Sequence, residues 1–137
     1  MIVALIDGLL DDQKPEVALA NETELLRYAY RVAGTVGLLM CHVLDCHDEA
    51  ARAHAIDLGI AMQLTNIARD VLEDAEMNRR YIPGDWVGGA CPATIAEAAA
   101  RPEGPVAQQV TMAVKRLLAL AETFYASGRR GYGYLPI

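Results

Sequence analysis

The run from Asp48 to Met77 contains no proline, and this constrains the fold more than any other feature of the chain. A segment of that length without a helix breaker reads as one long helix. Asn78 follows as a plausible cap, because Asn tolerates the left-handed conformation that ends helices. At 100° per residue, Gly59, Gln63, Asn66, Asp70 and Asp74 fall within an arc of about 80°. Ile60, Leu64, Ile67 and Val71 fill the neighbouring arc. A simple surface helix opposes its polar and apolar faces. This one sets them side by side.

Two readings of that stripe stay open at this point. Carboxylate, amide and carboxylate at i, i+4 and i+8 make a row of hard oxygen ligands, which suits Mg²⁺ completed by water and substrate phosphate. Arg69, Arg79 and Arg80 would then meet phosphate oxygens through their forked guanidinium groups. The alternative is a solvated acidic face with arginines near a helix C-terminus, where the helix dipole favours them.

The remaining segments also read as helix. "NETELLRYAYRVAGTVGLLMCHVL" opens with Asn21 and Glu24 in capping-box spacing. Tyr28, Val32, Val36, Leu39 and Val43 then share one face. "RRYIPGDWVGGACP" reads as loop, "ATIAEAAA" as a short helix and "GPVAQQVTMAVKRLLALAETFYASG" as a last long one. No segment alternates as a strand. With 53% hydrophobic residues but a single Phe and a single Trp, the core is aliphatic and suited to packed helices. The expectation is one all-α domain over residues 1–137. Both ends are abrupt, so a fragment of a larger domain is expected.

Composition excludes several functions. A net charge of −6 is wrong for a nucleic-acid surface. No uncharged apolar run is long enough for a transmembrane helix, and no leader pattern is present, so a cytoplasmic location is expected. Three cysteines without a CxxC do not make a disulfide framework. "CHVLDCH" (Cys41 to His47) matches no common zinc spacing and reads as buried Cys with exposed His at a helix end. Gly34 and Gly37 each cost about 1 kcal/mol inside a helix. Either close helix packing or room for a long ligand would justify them.

"YAYRVAGTVGLLM", "LGIAMQLTNIARDVLEDAEMNRRYIP", "LIDGLLDD" and "ASGRRGYGYLP" together resemble the squalene/phytoene synthase family over nearly the whole chain, with the bacterial phytoene synthases nearest. The resemblance implies an isoprenoid synthase fold, helices around a central cavity. It also implies head-to-head condensation of two prenyl diphosphates, two geranylgeranyl diphosphates giving phytoene for carotenoid biosynthesis. Squalene-type coupling of farnesyl diphosphate is the alternative within the family, and a non-catalytic helical module is the alternative outside it. By match to the family's second aspartate-rich motif, Asn66, Asp70 and Asp74 are implied Mg²⁺ ligands, with Mn²⁺ a possible substitute. Gln63 lies beside them. Arg69 matches a diphosphate-contacting arginine. Tyr28 matches the tyrosine near the reacting diphosphate, where it would orient that group or assist proton removal. Asp70 and Asp74 join it in the catalytic set. Val32, Ala33, Val36, Gly37 and Met40 match cavity-lining positions. An apolar substrate would bring the enzyme to the inner membrane surface as a peripheral protein.

Three departures accompany the match. The family's first aspartate-rich motif lies upstream of the Tyr28 helix and has no counterpart here; "DGLLDD" resembles a segment between the two motifs. Asn78 stands where the family commonly has glycine, and the final helix beyond "YLPI" is missing.

Overall fold

The computed structural model describes residues 1–136. Seven α-helices make up most of it: α1 (Ile2–Asp11), α2 (Glu22–Ala29), α3 (Thr35–Val43), α4 (Glu49–Arg69), α5 (Val71–Glu76), α6 (Pro92–Ala98) and α7 (Pro105–Arg130). The expected all-α architecture holds. Each start has a local cause. Asn21 Oδ1 accepts from the Glu24 amide at 2.9 Å. Glu24 returns a bond to the Ala20 amide at 2.6 Å, one residue before the usual capping-box partner. Asp48 caps α4 through the Ala50 amide, and α6 and α7 open on prolines, whose missing N–H costs nothing there.

α2 runs into α3 without a gap, but through a π-helical turn at Tyr30–Gly34. Thr35 Oγ1 donates to the Arg31 carbonyl at 2.8 Å within it. The wider turn holds an extra residue and rotates everything after it. The single face expected for Tyr28, Val32, Val36, Leu39 and Val43 is therefore split. Tyr28 is buried, whereas Val36 and Val43 are exposed and Leu38 and Cys41 turn inward. α3 then ends with Asp45 at φ 56° and a Schellman-type bond from the Cys46 amide to the Cys41 carbonyl at 2.8 Å. Cys41 and Cys46 are buried, and His42 and His47 exposed.

The helix expected from Asp48 to Met77 is two helices. Asp70 adopts φ −104°, ψ 18°, bending the rod between α4 and α5. The bend spares the polar stripe: Asp70 N–H still meets the Asn66 carbonyl at 3.0 Å, and Asp74 N–H the Asp70 carbonyl at 2.8 Å. Asn78, at φ 63°, ends α5 in the left-handed conformation.

The segment read as loop holds more. β2 (Arg79–Arg80) pairs in parallel with β1 (Val17–Ala18), Val17 opposite Arg79. Two residues per strand are too few for alternation to reveal. A 3₁₀ turn follows at Gly84–Trp86. Arg80 locks this junction. Its buried guanidinium donates to the carbonyls of Leu19 at 2.9 Å, Ile82 at 3.1 Å and Ala90 at 2.6 Å.

The core lies between α4 and α7. Leu64 and Leu117 are fully buried, and Ala61, Ala113 and Ala121 keep the two helices close. Leu25 and Ala29 of α2 belong to the same buried cluster, as do Ile82 and Val87. Each such leucine contributes about 1.5–3 kcal/mol by leaving water.

Between α3 and α4 the glycines are reciprocal. A side chain at Gly37 would collide with the Ala55 carbonyl, and one at Gly59 with the Ala33 carbonyl. Close packing is therefore the reason for Gly37, with Gly34 likewise filled in by Ile56 and Tyr30. Among the described residues, no helix is long and apolar enough to cross a membrane.

Candidate active site

Three features make up the candidate site. The first is an apolar groove of about 500 Å³. Val32, Ala33, Val36, Gly37 and Met40 form one wall, and Ala55, Leu58, Gly59 and Met62 the other. Every cavity-lining position inferred from the sequence falls there. The close approach that Gly37 and Gly59 allow brings the two walls together, so the packing role of the glycines also shapes the groove. Tyr132 and Leu135 line its far end. His54 also lines it, its Nδ1 at 3.0 Å from Ser127 Oγ, which in turn donates to Asp57.

The second feature is the polar row. Gln63 and Asn66 reach the groove from α4, and the helical bonds through the bend keep Asp70 and Asp74 in register beyond them. Burial, then the charge of Asp70, pushes the Asp74 carboxyl up to about 6, against the opposing pull of Arg79. Asp70 is held below the usual carboxylate range by hydrogen bonds from Arg69, whose Nε and Nη2 lie 2.7 and 2.8 Å from its two oxygens. Arg69 itself is exposed.

The third feature is a cluster that sequence reading missed. Asp12 closes α1 and accepts two phenol protons: from Tyr28 at 3.0 Å and from Tyr81 at 2.6 Å. The two rings stack with centroids 4.8 Å apart. Arg79 lies 3.3 Å from Tyr81 Oη and 3.8 Å from Asp12 Oδ1. Burial first, then the neighbouring Tyr81 and Asp12, raises the Tyr28 phenol far above its ordinary value. Asp12 and Arg79 also act on the charge of Asp74, so this cluster adjoins the far end of the row. The paired acids of "LIDGLLDD" were visible, but their partner tyrosines stand 16 and 69 residues away. No local pattern links them.

The three arginines thus separate. Arg79 faces the cluster and Arg69 is bound to Asp70 on the surface. Arg80 is committed to backbone carbonyls and is not available to phosphate, which overturns that expectation. Each of its three nitrogens already donates to a backbone carbonyl, which holds the charge where it is.

The donor set fits a hard cation. Asn66, Asp70 and Asp74 each offer side-chain oxygen, and the charge of Asp70, which after burial raises Asp74 most, is what a divalent ion offsets. No group of three or more His, Cys, Asp or Glu side chains converges among the described residues. A cation here therefore needs water or ligand oxygens to fill its shell.

A helical bundle with an acidic row at the mouth of an apolar groove defines an all-α protein of the isoprenoid synthase fold. The crystal structure of squalene synthase HpnC from Alicyclobacillus acidocaldarius superposes with a TM-score of 0.78, covering 98% of this chain and 49% of that one at 24% identity. The chain belongs to the squalene/phytoene synthase family, whose model matches residues 2–137. It is 45% identical over 114 residues to a 15-cis-phytoene synthase of Paracoccus sp. strain N81106, covering 82% of this chain and 35% of that protein. A 15-cis-phytoene synthase of Pantoea ananas is 40% identical over 132 residues, covering 96% of this chain and 41% of its own length. The chain thus spans well under half of these relatives.

Proposed function

We propose that this chain supplies a prenyl-binding groove and one metal–diphosphate row to an enzyme that couples two prenyl diphosphates head to head, two geranylgeranyl diphosphates giving phytoene. The names of its relatives support the reaction. The observation that carries the reading is the continuity of the groove with the row: Asn66 belongs to both. An amphiphile with a long hydrocarbon tail and a diphosphate head matches such a site at both ends.

In this reading Val32, Ala33, Val36, Gly37 and Met40 hold the tail and exclude water from it. Asn66, Asp70 and Asp74 hold Mg²⁺ (Mn²⁺ as a substitute), with Gln63 alongside. When bound, the metal neutralises the charge that develops on the leaving diphosphate. Arg69 turns from Asp70 to the phosphate oxygens, and Arg79 meets them from the other side. Tyr28 stands near the reacting diphosphate, to orient it or to assist proton removal. The substrate and product are strongly apolar, which supports a peripheral position at a membrane surface. Residues 1–137 act as one helical unit of the synthase.

Labelled geranylgeranyl diphosphate with Mg²⁺ tests the function in the full-length protein. A C40 hydrocarbon is expected. A C30 product from farnesyl diphosphate alone would move the assignment to squalene-type coupling, and no coupled product from either substrate would sink it. Asp70→Ala should abolish turnover, while Asp70→Asn should keep the fold and the thermal midpoint. An Asn variant that unfolds, or turns over normally, makes Asp70 structural.

A further inference from the structure

A groove between two consecutive antiparallel helices is closed at one end by the chain that joins them. Gly37 lies against Ala55 and Gly59 against Ala33, so α3 and α4 are such a pair. Their connection is short: α3 ends at Val43, Asp45 turns back at φ 56°, and Asp48 already caps α4. Leu44, Cys46 and Ala51 line the groove at that end, and Cys46 and Ala51 are buried in one cluster with Cys41. We infer that this closed end, between His54 and Ala51, receives the fourth isoprene unit of a prenyl tail, and that His54, held in place through Ser127 and Asp57, sets the tail length the enzyme accepts. This rests on the coupling reaction proposed above.

Helical rise gives the scale. At about 1.5 Å per residue, His54 stands about 18 Å along α4 from Asn66, and Ala51 about 22 Å. Each isoprene unit adds four carbon–carbon bonds of about 1.5 Å, or about 5 Å once the zigzag is extended. A three-unit tail that enters at Asn66 therefore reaches about 15 Å and ends before His54. Four units reach about 20 Å, past His54 and short of Ala51, whereas five, at about 25 Å, overrun the closed end.

The wall at His54 is fixed. Ser127 Oγ spends its one proton on Asp57, so it accepts at the 3.0 Å contact with His54, and Nδ1 is the donor. The neutral imidazole thus carries its proton on Nδ1. Its ring lies beside that of Tyr134, with centroids 6.0 Å apart and planes at 28°. A Cβ at Gly131 would collide with His54 Cβ, so the 3₁₀ turn at Gly131–Tyr134 lies directly on this residue. Cys46 Sγ donates to the Tyr134 carbonyl at 3.3 Å and ties the same turn to the closed end. A leucine would complete such a wall without sequestering polar groups. What the bonded chain adds is a side chain that cannot step aside.

Competition among the three-, four- and five-unit prenyl diphosphates, with Mg²⁺ and the full-length protein, tests this as ratios of kcat/KM. Wild type should favour four units. Ala51→Leu fills the closed end and should shift the ratio toward three units by about tenfold or more, the least discrimination a hydrophobic pocket makes for one methylene. His54→Ala removes the wall and should raise five units over four. Ser127→Ala frees the ring and should move that ratio the same way by less, while nitrogen NMR shows neutral His54 losing its preference for the Nδ1 proton. If one variant fails to fold, the other two still report the ratio. A merely structural Asp57–Ser127–His54 chain would lower all three substrates together, and ratios equal to wild type in the folded variants overturn the assignment. Calorimetry with the unreactive thiodiphosphates of the same three lengths reads the ratios without turnover. Length-dependent binding that the variants shift, in a wild type that couples no substrate, leaves the role of His54 standing and overturns the coupling reaction instead.

Discussion

The Arg80 junction and the Asn66–Asp74 row are both polar, both partly sequestered, and close in sequence, yet they are opposites in chemistry. At the junction every donor that matters has an acceptor: three carbonyls surround one guanidinium. In the row, burial first and then the charge of Asp70 raise the proton affinity of the Asp74 carboxyl. Satisfied polarity signals structure. Crowded like charge beside an open apolar groove signals a place kept for something else.

The sharpest way to break that contrast is to remove the satisfied charge. Arg80→Met keeps much of the side-chain volume but strands the buried acceptors of Leu19, Ile82 and Ala90. Losing charge-assisted bonds and leaving their partners dry should cost about 3 kcal/mol or more. Urea denaturation should show it as a lower midpoint at unchanged slope. An Arg80→Met protein as stable as wild type would mean that the junction is not held this way, and would return Arg80 to the candidates for phosphate binding.

A smaller loss is expected at the groove walls. Gly59→Val puts a branched side chain where the Ala33 carbonyl lies. Helix propensity alone favours replacing glycine, so packing and propensity predict opposite signs. Overpacking costs about 1–3 kcal/mol, and we expect it to win, lowering the thermal midpoint by several degrees. Stabilisation would show that α3 and α4 can separate, and that groove width is not set by glycine.

What was readable in the sequence divides along the same line. The register of Asn66, Asp70 and Asp74 follows from helical spacing within one rod, so the polar row could be named from spacing, whereas Val32, Ala33, Val36, Gly37 and Met40 were named by the family resemblance alone. The π turn at Tyr30–Gly34 left no mark that spacing detects, and it moved Val36 and Val43 outward. The bend at Asp70 was equally silent, since nothing in "NIARDVLED" breaks a helix. Asp12 and Arg80 depend on partners brought in from distant segments, and a two-residue strand has no periodicity. Their roles are tertiary, so composition and local pattern could not assign them.

The smallest effect probes the row through pH. The carboxyl of Asp74 is pushed up to about 6 in the fold, first by burial and then by Asp70, while in the unfolded chain it titrates as an ordinary aspartate near 4. A group raised in this way stabilises the fold fully below its unfolded value and loses that contribution as pH rises through the folded one. Between about pH 4 and 6, wild type should therefore lose stability relative to Asp74→Asn, whose side chain does not titrate. The carboxyl is partly solvated, so screening leaves only a small difference in free energy. It should appear as a divergence of the two thermal midpoints over that window, with the variant the more stable at pH 7. Carboxyl carbon NMR of Asp74 gives the same titration directly. Added Mg²⁺ with inorganic diphosphate should move the Asp74 titration downward, because a bound cation favours the ionised form. An Asp74 that titrates near 4 without metal would remove the like-charge crowding. The row would then be no different in kind from a solvated acidic face.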